Sequence, residues 1–207
     1  PDLGTALIVF ASGLVPVLLA GFPLSLLFIS FVSVAALSPL IWGSLQLYQK
    51  ERILIYLNLE SDPLGAGFQI AQSKIAIGSG GITGKGYLLG TQSQLEFLPL
   101  SHSDFILAVI GEELGFLGIN FLFLFYGLIL YRVFSIAFNA RTEFARLAVS
   151  SMGFIFLIYI LINTSMVVGI MPVVGVPLPL ISQGGTSVLI HLMAFGFVLS
   201  MKKRQTL

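Results

Sequence analysis

The chain has 207 residues, of which 57% are hydrophobic and 9% charged, and its mean hydropathy is +1.01. So little polar side-chain surface cannot cover a water-soluble globule, and lipid must serve as the solvent. Ten Lys and Arg against nine Asp and Glu give a net charge of +1, which argues against any bulk attraction to nucleic acid, and the lack of cysteine excludes disulfides, thiolate metal sites and thiol nucleophiles.

The chain opens on Pro1 and not Met, with no basic, short apolar leader before its first apolar run, and therefore reads as a piece of a longer protein. Runs able to cross a hydrocarbon core, which takes about 20 helical residues, are expected at Leu3 to Gly21, Leu24 to Leu47, Phe105 to Phe134, Leu147 to Ile170 and Gly185 to Met201. The predicted fold is all-α, a polytopic bundle of five spans. Pro16 and Pro39 fall inside the first two and are read as kinks rather than ends.

Basic residues near span ends set the expected orientation. Arg132, Arg141 and Arg146 flank one connection and Lys202, Lys203 and Arg204 follow the last span, which assigns both regions to the cytoplasm. Alternation then places Asp2, the loop 48–104 and the connection Met171 to Gly184 together on the opposite side. Within the loop, Gly67 to Ile77 groups Phe68, Ile70, Ala71 and Ile75 near one helical face, predicting a short amphipathic helix on the membrane surface that holds Lys74 at headgroup level.

A glycine cluster follows at Gly78, Gly80, Gly81, Gly84, Gly86 and Gly90. With Lys85 it invites comparison with phosphate-binding loops. Ser79 and Gly86 stand where the Walker pattern requires Gly and Ser or Thr, and Thr83 breaks the dinucleotide pattern, so neither applies. Two readings remain: a loop that merely turns sharply, or one whose amides and Lys85 meet an anionic headgroup.

Asp104 stands at the mouth of the third span. It reads either as a helix N-cap or as a functional carboxylate. His102, two residues earlier, has only His191 for company in the sequence, so no histidine metal site is expected. Glu112 and Glu113 lie two turns further along, roughly 12 Å below Asp104 at 1.5 Å per residue. Carboxylates at such depth pair with something or line a watery cavity, and helical geometry lets at most one of them share a side with Asp104. Gly111 and Gly115 form a small-xxx-small contact, and Asn163 reads as a hydrogen bond across helices or a ligand contact. The connection from Met171 carries Pro172, Pro177 and Pro179 before Ser182, Gln183, Gly184 and Gly185, and reads as a stiff re-entrant segment or a simple tight connection.

Several of these stretches resemble the SEDS proteins (shape, elongation, division and sporulation) of the bacterial cell wall. They are Pro1 to Thr5, Glu60 to Gly90 (ESDPLGAGFQIAQSKIAIGSGGITGKGYLLG), Thr91 to Pro99, His102 to Phe105, Gly111 to Gly115 (GEELG) and Val174 to Gly185. The wording SDPLGAG and GTQSQLEFLP is similar to the rod-shape RodA branch more than to the division FtsW branch. The family has ten spans, and this chain matches the last five. Leu100, Ser101 and Gln183 depart from the family pattern, removing a glutamate near His102 and an aromatic in the last connection.

The resemblance implies a multi-pass protein of the bacterial inner membrane that polymerises glycan strands from lipid II, a disaccharide-pentapeptide on undecaprenyl diphosphate. It places the family's essential carboxylate on Asp104. Displacing a diphosphate needs no strong acid, because the leaving group is already a stable anion, but it needs a base for the acceptor hydroxyl. Lys74 and Lys85 are the candidates for the diphosphate, with Gln92, His102, Ser182 and Asp2 as further substrate contacts. Glu112, Glu113, Asn163, Gly184 and Gly185 are assigned to structure or cavity. No cofactor is required by the sequence, although Mg²⁺ or another divalent cation could accompany the diphosphate. A class B penicillin-binding protein and other membrane proteins of the elongation complex are the partners implied, with no nucleic acid. The rival readings are a lipid II transporter and a scaffold, and this half is not expected to act alone.

Overall fold

The computed structural model describes residues 3–57, 65–94 and 102–203. Their regular elements are helices in the order α1 (Leu3–Leu19), α2 (Leu24–Ala36), α3 (Ser38–Ser44), α4 (Leu47–Leu57), α5 (Ala66–Gly80), α6 (Thr91–Gln94), α7 (Ile106–Phe138), α8 (Glu143–Val167) and α9 (Gly185–Lys203). The all-α bundle expected from the sequence is therefore present. Of these helices α7, α8 and α9 are long and apolar enough to cross a membrane, and α1 is a shorter apolar helix. Their outward faces carry residues such as Leu117, Phe121 and Leu192, each more than half exposed, as lipid solvent requires.

The second expected span is not one helix. It divides at Leu37, where α2 ends, and Pro39 stands in the first turn of α3. There its missing N–H leaves no bond unmade, so Pro39 starts a helix instead of kinking one. Pro16, by contrast, stays within α1.

α8 begins four residues earlier than expected because Thr142 caps it, its hydroxyl accepting from Ala145 N–H at 3.2 Å. Its other end is a Schellman turn, which stops the helix at Val167: Gly169 takes φ +75°, its N–H donates to Met166 O at 3.0 Å, and Ile170 N–H donates to Ser165 O at 2.8 Å. The main apolar core lies between α7, α8 and the last connection, around Phe105, Leu107, Phe156, Ile160, Met166 and Leu178. Tyr126 on α7 packs edge-on to Phe156 on α8 and donates its hydroxyl to Pro179 O at 2.7 Å, which ties that connection into the core.

α5 differs from the expected surface-lying helix. Its buried stripe is Ile70, Ser73, Ala76 and Gly80, pressed against α7 and α8, while Ile75 is half exposed. Ser73 donates to Val167 O at 2.7 Å at the middle of α5, and Gly80, its last residue, lies against Gly111. The helix therefore descends beside α7 in the same direction, and small residues on both let the backbones meet.

At the foot of α5 the glycine cluster takes up a role that neither sequence reading assigned to it. α7 is broken at Gly115, which has φ +65° and ψ −161°. The loop after α5 fills the break: Lys85 and Gly86 N–H donate to Glu112 O and Glu113 O, both at 3.0 Å, while Phe116 and Leu117 N–H donate to Gly81 O and Ile82 O at 2.9 and 3.1 Å. Four backbone groups freed by the break are thereby satisfied away from water, which is the condition for irregular backbone at membrane depth. Only glycines fit, since a Cβ on Gly84 would stand 2.1 Å from Glu113 O and one on Gly115 would stand 2.3 Å from Gly84 N.

A candidate catalytic carboxylate at Asp104

The turn formed by residues 102–105 enters α7 and is held almost entirely by other elements. Gln183 N–H donates to His102 O at 2.9 Å, and the Ser182 hydroxyl donates to Ser103 O at 2.5 Å while accepting from Leu178 N–H at 2.7 Å. From α8, the Asn163 amide donates to Asp104 O at 2.8 Å and to Val176 O at 2.7 Å. Phe105, directly after, is fully buried and anchors the turn in the core.

The N-terminal boundary of α7 falls at Phe105, so Asp104 stands one residue before the cap position, and its carboxylate accepts from the Ser103 hydroxyl. It is half-buried, and desolvation raises its pKa above the usual 3.8 while a hydrogen bond from the Ser103 hydroxyl pulls the other way. Gly175 lies alongside: a Cβ there would be 3.6 Å from Asp104 Oδ2. Gly175 in turn forms part of the wall of a cavity of ≈ 230 Å³, together with Pro177, Thr186, Ser187 and His191. The connection from Met171 is thus a cavity-lining segment, extended by its prolines and turned by Gly175 at φ +76° and Leu180 at φ +64°.

The other sequence candidates divide into two groups. Lys85 and Glu112 pair with each other, Nζ to Oε1 at 2.7 Å, with Glu112 fully buried and Lys85 27% exposed. Thr91 Oγ1 sits 2.8 Å from the same ammonium and 3.0 Å from Glu112 Oε1, and Gln92 N–H donates to that carboxylate at 3.0 Å. Glu112 therefore has the partner that the sequence did not reveal. Its pair latches the glycine loop to α7, and Lys85 reaches the site already engaged. Glu113 is buried next to it, and Gln92 Oε1 is buried with no hydrogen-bond partner among the described residues.

Lys74 is exposed on α5 and packs over Gly169, where a Cβ would stand 2.6 Å from its Nζ. This puts an ammonium at the negative end of α8 and close to the turn that follows it. His102 is exposed, Ser182 is buried in its tether, and Gly184 and Gly185 open α9, with Val188 N–H donating to Gly184 O at 3.0 Å. Gly184 and Gly185 also border a shallow hollow of ≈ 700 Å³ with Ser182 and Leu189. Asp2, Leu100 and Ser101 lie outside the described residues. Ser103 and Gly175 were missed by sequence reasoning. The only available signal for Gly175 was a glycine between prolines, which does not distinguish a turn from a wall beside a carboxylate.

Comparison with known proteins identifies the chain's relatives. The chain is 50% identical over 202 residues to the peptidoglycan glycosyltransferase MrdB of Escherichia coli, covering 97% of this chain and 55% of that protein. It is 43% identical over 158 residues to the peptidoglycan glycosyltransferase RodA of Treponema pallidum, covering 76% of this chain and 36% of that one. Among solved structures, a chain of a peptidoglycan synthase complex coordinating polymerization and crosslinking superposes with a TM-score of 0.79 at 36% identity, over 99% of this chain and 56% of its own length. RodA of Thermus thermophilus gives 0.62 at 27% identity, over 99% and 50%. The chain spans about half the length of the relatives it matches. Since the model of the cell cycle protein family named for FtsW, RodA and SpoVE matches residues 1–207, the chain belongs to that family.

Proposed function

We propose that the whole protein is an inverting peptidoglycan glycosyltransferase that polymerises lipid II during cell elongation, with Asp104 as its general base on the extracytoplasmic side of the bacterial inner membrane. The observation that carries this reading is the Asp104 carboxylate: its backbone is tied from α8 and its side chain is half-buried beside a cavity wall. In the transfer, the acceptor sugar hydroxyl attacks the anomeric carbon of the donor. The new C–O bond forms as the bond to the diphosphate breaks, the diphosphate leaves with the electron pair, and the hydroxyl proton passes to Asp104. Burial favours this by raising the carboxyl pKa toward the working pH, where a base is more effective.

The diphosphate needs positive charge. Lys74 is exposed and Lys85 is committed to Glu112, so Lys74 is the stronger candidate of the two. Among the described residues no cluster of three or more His, Asp or Glu groups is placed to hold a metal. Gln92 and His102 remain candidate contacts to the sugar or peptide. The likeness to a chain from a peptidoglycan synthase complex supports a class B penicillin-binding protein as partner. A transporter would require polar groups lining a path at the midplane. Glu112, fully buried against Lys85, Thr91 and Gln92, supplies no such path and favours the enzyme.

The test is polymerisation of purified lipid II by the full-length protein. Asp104→Asn should leave no glycan strands while the protein keeps its elution profile and melting temperature. Strands of undiminished length and yield from that variant would end the assignment.

A further inference from the structure

We infer that Asn163 is a positioning residue for the Asp104 carboxylate, an assignment that rests on the general-base reading above. The Asn163 amide sends its two hydrogens to two different segments. One N–H goes to Asp104 O at 2.8 Å and the other to Val176 O at 2.7 Å, so a single side chain on α8 holds the turn that carries the base and the strand-like segment that passes in front of it. Val176 directly follows Gly175, which lies within van der Waals reach of the carboxylate: a Cβ there would be 3.6 Å from Asp104 Oδ2. The two tied carbonyls belong to Asp104 itself and to the residue after Gly175, and the spacing between them is set by the width of one planar NH₂ group.

Asn163 is fully buried, and its Oδ1 has no hydrogen-bond partner among the described residues. An apolar side chain of the same volume would spare that acceptor but orphan the Asp104 and Val176 carbonyls. What an apolar residue cannot do is hold both carbonyls, and with them the gap between Asp104 and Gly175. Ser182 holds the same turn one residue earlier, at Ser103 O, but does not reach the second wall. Asn163 is thus the one described side chain that spans the base and the segment facing it.

The experiment uses the full-length protein and lipid II, with Asn163→Ala, Asn163→Leu and Asp104→Asn purified in parallel. With Asn163→Ala, kcat should fall about 10- to 100-fold, the scale expected when a reacting group is misplaced by an ångström. KM should stay within about twofold, because no substrate contact is removed. The acid limb of the pH–rate profile should move, since the carboxylate changes its surroundings, whereas a residue acting only on the fold would lower the amount of active enzyme and leave that limb in place. Asn163→Leu, which restores volume without the donors, should show the same split. A folded Asn163 variant with unchanged kcat and pH profile would overturn the assignment. So would failure of both variants to fold, which would make Asn163 structural. Polymerisation by Asp104→Asn would instead overturn the general-base reading itself, so the two failures are told apart.

Discussion

Replacing Lys85 with methionine tests the latch beneath the active turn. The substitution keeps the length of the stem and removes the ammonium 2.7 Å from a carboxylate that is fully buried. Breaking a buried pair from one side costs about 3–5 kcal/mol. Lys85 is 27% exposed, so water can replace part of the lost interaction and the lower end applies, about 3 kcal/mol. Thr91 Oγ1 and Gln92 N–H still contact the orphaned carboxylate, which keeps the loss from growing larger. The unfolding entropy grows with chain length, so for a protein about twice this long the scale is about 1–2 °C per kcal/mol, and the melting temperature of the full-length protein in detergent should drop by roughly 3–6 °C. Pairing Lys85→Met with Glu112→Leu removes the uncompensated charge together with its partner and should recover at least half of that loss, because each charge is costly chiefly in the other's absence. The assay is a thermal melt of the four proteins of this cycle. A single variant that melts with the parent, or a double variant no better than the sum of the singles, would refute the coupling.

Three further outcomes follow from the geometry and the proposed general base. Because burial raises the Asp104 pKa and the base works only when ionised, polymerisation should fall off on the acid side at a pH above the usual carboxylate value of 3.8. The native state binds this proton more tightly than the unfolded chain, so the stabilisation it gives is lost as pH rises through the folded pKa. Asp104→Asn should therefore melt no lower than the parent at neutral pH while losing activity, and a lower melting temperature would contradict this. Gly115→Ala must place a Cβ 2.3 Å from Gly84 N at a φ of +65°. Helix and loop must separate, at a cost of about 2–4 kcal/mol, and a melt of that variant indistinguishable from the parent would contradict the backbone contact.

Length and hydropathy were sufficient to locate α7, α8 and α9, because a segment without water must satisfy its own backbone and therefore becomes helical. The breaks were less legible. Gly115 looked like a small packing residue because the signal for a close helix contact and the signal for a broken helix are the same glycine. Pro39 gave a similar ambiguity between a kink and a fresh helix start. For α5, counting apolar residues on a wheel favoured a membrane-facing stripe through Ile75. The buried stripe instead follows the small residues Ser73, Ala76 and Gly80, since close approach between helices selects for size more than for hydrophobicity.

The site shows the same division. The resemblance to a known family singled out Asp104, whose residue-level reading had left a helix cap and a functional carboxylate both open. Sequence reasoning left Glu112 without a partner, since Lys85 is 27 positions away and nothing local predicts that the loop between them folds down along α7. The choice between Asp104 as cap and Asp104 as functional carboxylate also lay beyond the chain's local pattern. It depends on where α8 and the last connection place Asn163 and Ser182, residues 59 positions from Asp104 and 79 from Ser103 in the bonds they make.

What this sequence determined by itself was a lipid solvent and the helical class, both of which follow from the free energy of moving residue types and backbone groups between water and hydrocarbon. Only the tertiary structure decided which charges neutralise each other and which stay available. Pairing depends on distances between segments far apart in the chain, and those are set by how the backbones pack.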